Sequence, residues 1–213
     1  MSTRPARSGS SPACCSGWLA SRALAKAPEV RAHSAATAAR AAVLCEALDV
    51  DPHTAETVKA AAWLHNIGRA PRLRDIGFPP LDGARYLNRH RWSYEVCCLV
   101  AHHAGARFEA AERGLADRMW PFVFPDGPAL DLLNYADLTA PGTASGMRCV
   151  GGPSPARGAA HGARAADLEM VIARVEADLA RRAHAERADV NALRASSHGF
   201  GQRVLGQRPL DVS

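Results

Sequence analysis

An all-α fold is what this sequence predicts, on three observations. Hydrophobic residues make up 47% of the chain but aromatics only 6%. Much of the apolar share is therefore alanine, a small unbranched side chain that suits closely packed helices better than a β-sandwich. In segment after segment, apolar positions recur at steps of three and four, the spacing of one helical face. The chain has 213 residues, 22% of them charged, which is enough for one ordinary domain with a modest extension and too apolar for wholesale disorder.

The elements follow in order. Residues 1–16 are rich in Ser, Pro, Gly and Arg without periodicity and read as a disordered tail. Trp18 to Lys26 reads as a short helix. Val30, His33, Thr37, Ala41, Leu44 and Leu48 form a single helical stripe. Asp51-Pro52 is an N-cap followed by proline in the first turn; it opens a helix with Thr54, Val58, Ala61, Ala62 and His65 on one face, ending at Gly68. Arg69 to Pro80 is an irregular loop. Leu81 to His90 and Ser93 to His103 are helices, the latter stopped at Gly105, and Phe108 to Met119 is one amphipathic helix. Ala129 to Leu138 is a buried helix halted by Pro141. Gly, Ala, Pro, Ser and Arg dominate 142–164, a flexible linker. Helical spacing returns from Leu168 to Leu193 in an extra C-terminal helix, placed at 165–195, and 196–213 reads as a tail.

The formal charge is +5, from 26 Lys+Arg against 21 Asp+Glu, and the sequence pI is about 9.1. Only Lys26 and Lys59 are lysines, so the positive charge is almost all arginine. Arginine matches phosphate with two parallel hydrogen bonds; a GC-rich coding sequence produces the same bias. No basic stripe with interleaved aromatics appears, which argues against dedicated nucleic-acid binding. The longest apolar run, Val96 to Ala101, is far short of the ~18 residues that span a bilayer, so no membrane partner is expected. The N-terminal arginines are followed by no apolar signal region. Six cysteines, at 14, 15, 45, 97, 98 and 149, include two adjacent pairs and no CxxC spacing. They read as reduced core fillers of a cytoplasmic protein.

Three polar residues stand out on apolar helices. His33 and His65 lie on the buried stripes of consecutive helices, and Asp137 lies in Tyr135-Ala136-Asp137-Leu138 of a third. A buried imidazole needs a partner for each ring nitrogen, and a buried carboxylate needs a proton, an arginine or a cation. Singly, each is an ordinary satisfied core group. Together, on three helices that pack along those stripes, they suggest a shared metal ion. His53, His90, His161, His184 and His198 sit in polar or linker context, and no P-loop, G-x-S-x-G or dinucleotide fingerprint is present.

The run AAWLHNIGRAP resembles the His-Asp signature of HD-superfamily metal-dependent phosphohydrolases. Around it, RAHSAATAARAA is similar to that family's first-histidine helix, LDGARYL and LVAHHAGA to its middle motifs, and LDLLNYADLTA to its last-aspartate helix. The likeness covers about residues 18 to 141, and the nearest group is related to the HD-type dinucleotide-polyphosphate hydrolases. It implies an HD-domain helical bundle over 17–141. It also implies His33, His65, Asn66 and Asp137 as metal ligands, with His65, Asn66 and Asp137 at the catalytic centre. His102, with His103, falls on the second-metal or phosphate side, and Arg69 beside a phosphate oxygen. The implied cofactor is a divalent ion (Mn, Fe, Mg, Co or Zn), and the partner a small phosphorylated substrate, such as a nucleotide.

Two residues depart from the family pattern. Position 66 is Asn where relatives carry Asp, so its single neutral oxygen neutralises nothing and bridges poorly. Pro79 stands where relatives carry a histidine. The expected function is hydrolysis of a nucleotide or other small phosphoester, weakened at those two positions. The alternative is a catalytically degenerate HD domain that binds a phosphorylated ligand or plays a structural or regulatory part.

Overall fold

The computed structural model describes residues 12–140 and 155–204. Among them the secondary structure is helical throughout: α1 Pro12–Ala23, α2 Pro28–Ala47, α3 Pro52–Leu64, α4 Pro79–Arg89, α5 Tyr94–His102, α6 Ala106–Glu112, α7 Ala116–Met119, α8 Pro128–Thr139 and α9 Pro155–Val204, with short 3-10 turns at Ile67–Arg69, Pro71–Leu73 and His103–Gly105. The all-α expectation is met. Two compact units divide the chain, Met1–Val175 and Glu176–Ser213.

The centre of the first unit is α3, which packs against α1, α2, α5 and α8. Its sequence explains why four neighbours fit. Thr57, Val58, Ala60, Ala61, Ala62 and Leu64 are buried on nearly every side, and the alanines let the surrounding backbones approach closely. The expected start is there: Pro52 occupies the first turn and the Asp51 carboxylate accepts the Thr54 N–H at 3.0 Å. Of the stripe expected on α2, Thr37, Ala41 and Leu44 are buried, joined by Ser34, Ala38 and Cys45.

Three helices end with the same pair of crossed hydrogen bonds but different residues in the left-handed position. After α6, Gly114 (φ 66) separates the Leu115 N–H to Ala110 bond from its own bond to Ala111. Asp49 (φ 51) does this after α2 and Arg91 (φ 63) after α4. The glycine is what divides the expected single helix Phe108–Met119 into α6 and α7, because its conformation cannot continue a right-handed helix. The loop before α4 is less irregular than its composition suggests. The buried Asp82 carboxylate accepts the backbone N–H groups of Ile76 at 2.8 Å and Gly77 at 3.0 Å, pinning the loop to the helix that follows it.

Some sequence expectations fall partly on other residues. Helix α1 begins at Pro12, inside the stretch read as tail, and residues 1–11 lie outside those described. Of the expected linker, 155–164 belong to α9, and 141–154 lie outside the described residues, as do 205–213 of the expected C-terminal tail. Leu168, Val171 and Val175 of α9 are buried in the first unit, where Arg174 also makes two 2.8 Å hydrogen bonds to Asp131. In the second unit, Arg181–Asp178 and Arg182–Glu186 are charged pairs along a helix. No helix among the described residues is long and apolar enough to cross a membrane.

Candidate metal centre

Helices α2, α3 and α8 meet where His33, His65 and Asp137 meet. One ligand atom from each lies within 4.8 Å of the others. The Asp137 Oδ1 atom is shared, 2.7 Å from His33 Nε2 and 3.3 Å from His65 Nε2. The two imidazole rings stand edge to face, with centroids 5.4 Å apart. His65 is 1% exposed and the side chains of His33 and Asp137 are 16% and 14% exposed, so the cluster is reached from the α2–α8 side.

The position of His65 follows from its place at the last turn of α3. There its Nδ1–H donates to the Ala62 carbonyl at 2.7 Å. That bond fixes the tautomer and turns the Nε2 lone pair towards Asp137, a common arrangement for metal-binding histidines. Two acceptors then face each other at 3.3 Å, a contact that needs a proton or a cation between them. About 3.4 Å is also the separation of two donors on one tetrahedral cation with bonds of ~2.1 Å. Two imidazole nitrogens and a carboxylate oxygen make a suitable set for a divalent transition ion. The donor set fits a metal.

Burial by itself would raise the Asp137 carboxyl, but His65 beside it and then the hydrogen bond from His33 hold it well below the ordinary carboxylate range. It stays ionised across the physiological range. His103 completes the wall: its ring lies edge-on to His65 with centroids 5.1 Å apart, and its Nδ1–H donates to the Val100 carbonyl at 2.8 Å. Burial, and then the neighbouring His65, pushes the His103 imidazole down to about 3.

Asn66 and Arg69 continue from the end of α3 into a 3-10 turn. Arg69 Nε–H donates to Asn66 Oδ1 at 2.7 Å, and Asn66 Nδ2 lies 2.5 Å from His65 Nε2. Gly68 is obligatory between them. A Cβ there would sit 2.0 Å from the Pro79 carbonyl oxygen, so the turn lies flat against the start of α4.

His102, expected as a metal ligand, lies outside the cluster of His33, His65 and Asp137. Its Nε2–H donates to the Phe122 carbonyl at 2.9 Å and its ring meets the edge of Phe124. Successive residues at a helix end point in different directions, so of the adjacent pair it is His103 that meets His65. Arg72 and Arg74 are exposed in the following turns, as a solvated loop would place them.

Sequence reasoning missed the residues that hold His103 in place. Asn134, 2% exposed on α8, accepts the Ala104 N–H at 2.6 Å, and Arg164 Nε–H donates to the Ala104 carbonyl at 2.7 Å. Ala104 (φ 50) and Gly105 (φ 66) are both left-handed, so these two bonds offset local backbone strain. Asn134 carried the same signal as Asp137, a polar residue among Leu132, Leu133 and Tyr135. Arg164 carried none, because the surrounding sequence reads as linker. Comparison with protein-family models, with curated proteins and with solved structures gives no match for this chain.

Proposed function

We propose that the chain is a metal-dependent phosphohydrolase of the HD superfamily, acting on a nucleotide or other small phosphoester. The convergence of His33, His65 and Asp137 on one point is the observation that carries this reading. The ordered likeness of five sequence segments to that family supports it. His33, His65 and Asp137 would hold the divalent cation through Nε2, Nε2 and a carboxylate oxygen. When bound, such a cation supplies a water of lowered pKa and neutralises charge developing on a phosphoryl oxygen.

The chain's own groups do the rest. Asp137, kept ionised by its histidine neighbours, retains its negative charge for the metal. The carbonyls of Ala62 and Val100 orient His65 and His103. His103 is neutral above about pH 3, so with its proton on Nδ1 its Nε2 can only accept a hydrogen bond. Arg69, exposed beside the cluster, is placed to bind a phosphate oxygen.

A second reading rests on Asn66. Its amide is hydrogen-bonded to His65 and Arg69 and adds no negative charge, which favours an HD domain that binds a phosphorylated ligand without turnover. Metal analysis and hydrolysis of a dinucleotide polyphosphate by wild type, His65→Ala and Asn66→Asp separate the two. The hydrolase reading expects near-stoichiometric metal and turnover in wild type, with both lost in His65→Ala. Turnover gained only in Asn66→Asp overturns it in favour of the second.

A further inference from the structure

Two left-handed residues in a row, Ala104 (φ 50) and Gly105 (φ 66), follow His103 directly. An alanine seldom takes that conformation, and here both backbone polar groups of Ala104 are held by side chains. Its N–H donates to Asn134 at 2.6 Å and its carbonyl accepts from Arg164 at 2.7 Å. The stem of Arg164 also packs on the turn. A Cβ on Gly105 would lie 2.9 Å from Arg164 Cγ, so this glycine leaves room for the arginine as well as taking the left-handed angle. The Arg164 side chain is 13% exposed.

Both holders lead back to the cluster. Along α8, Asp131, Asn134 and Asp137 succeed one another at steps of three, so each is the helical neighbour of the next. Asp137 meets the two histidines, Asn134 meets the turn, and Asp131 accepts two 2.8 Å hydrogen bonds from Arg174 of α9. From the same α9, Arg164 returns to the turn. Helix α8, the turn and α9 therefore form a closed chain of contacts on which His103 and Asp137 both stand. Docking of α9 does not need Arg164, because Leu168, Val171 and Val175 are buried and Arg107 meets Asp167 at 2.7 Å. What Arg164 adds is a fixed turn next to His103.

Resting on the metal-centre reading above, we infer that Arg164 is a positioning residue of that centre, which makes α9 part of the site rather than an extension of the domain. Arg164 acts through the Ala104–Gly105 turn on His103, whose ring packs edge-on to the ligand His65 at 5.1 Å. The Val100 carbonyl sets the tilt of the His103 ring, and the turn sets where its backbone stands. With the turn held, His103 walls the ligand and limits its freedom. With the turn released, water enters beside His65 and the ligand loosens. Partners one step out from the ligands of a metal govern its affinity in this way, by orienting the groups that bind it.

The test uses the full chain with Mn2+ and Co2+ as probes. Arg164→Met keeps an aliphatic stem over Gly105 and removes the donor. Calorimetry should show its Mn2+ affinity about tenfold below wild type, the lower end of what outer-shell partners contribute, and the visible absorption bands of the Co2+-loaded protein should shift. Arg174→Met removes two hydrogen bonds between α8 and α9 but none to the turn. Its affinity should stay within about threefold of wild type, because an exposed pair contributes little. Guanidinium at a non-denaturing concentration should recover most of the affinity lost in Arg164→Ala, and sodium at the same ionic strength should not; a purely structural role predicts no such rescue. Circular dichroism verifies that the variants fold. Wild-type Mn2+ affinity in Arg164→Met, an equal loss in Arg174→Met, or no recovery with guanidinium would each overturn the inference alone. Absence of any Mn2+ binding by wild type brings down the metal-centre reading itself.

Discussion

Two histidine–carboxylate pairs in this molecule have nearly the same length and nothing else in common. His33 and Asp137 meet at 2.7 Å with side chains 16% and 14% exposed; His53 and Glu95 meet at 2.9 Å with side chains 76% and 58% exposed. The first carboxylate is shared with a second buried imidazole, His65, and walled by a third, His103. The second pair bridges the start of α3 and the start of α5 over open solvent, at the lip of a groove lined also by Glu56, His90 and Trp92. Distance alone does not make a site. What distinguishes the inner pair is exclusion of water, which strengthens each electrostatic interaction, and convergence of ligand atoms from three separate helices.

The contrast is broken most severely at Asp137. Asp137→Ala leaves His33 and His65 facing each other without their common carboxylate. Divalent-metal affinity should fall by more than about 100-fold, beyond what outer-shell changes cost. Removing one partner of a buried pair costs about 3 kcal/mol or more, so thermal unfolding in chelator should also show a large loss. Unchanged metal binding in Asp137→Ala would remove the centre from the inner pair.

Acid should separate the two pairs next. An unfolded histidine titrates near pH 6.5, whereas folded His103 does so only at about 3. Between those values the unfolded chain binds the extra proton, so His103's contribution to stability is present above about pH 6.5 and is lost progressively as pH falls towards 3. Asp137 acts in the same direction lower down: its depressed folded value means that its contribution is present above the ordinary carboxylate range and lost as pH falls through the folded pKa. Denaturant unfolding of metal-free protein between pH 7 and 4 should show stability falling with pH, with a shallower slope in His103→Asn. Equal slopes in the two proteins would contradict the burial assigned to His103.

Much of this was legible in the sequence, and the reason is periodicity. The stripe through His33, Thr37, Ala41 and Leu44 and the run ending in His65 place the two imidazoles on facing helices. Asp137 stands out as a charged residue beside Tyr135, Ala136 and Leu138. The break between α6 and α7 was less legible, since Gly114 is one residue in an otherwise continuous amphipathic pattern and only its left-handed conformation reveals the stop. The pairing of Asn66 with Arg69 was not legible at all. Three residues of a 3-10 turn bring them together, and no helical or strand period describes such a turn. His102 and His103 show the same limit, since periodicity indicates the helix but not which of two adjacent residues at its end turns inward.

The outer pair supplies the smallest effect and the control. An exposed ion pair gains little Coulomb energy in water, loses side-chain freedom on forming, and is screened by salt; such pairs contribute about 0–1 kcal/mol. His53→Ala should therefore change unfolding free energy by less than about 1 kcal/mol, by still less at high salt, and should leave metal content untouched. Helix α3 does not depend on the pair for its start, because Asp51 and Pro52 already supply the cap. If His53→Ala instead lowered metal content as much as a substitution at the inner pair, burial and convergence would not be what separates a binding centre from a surface contact.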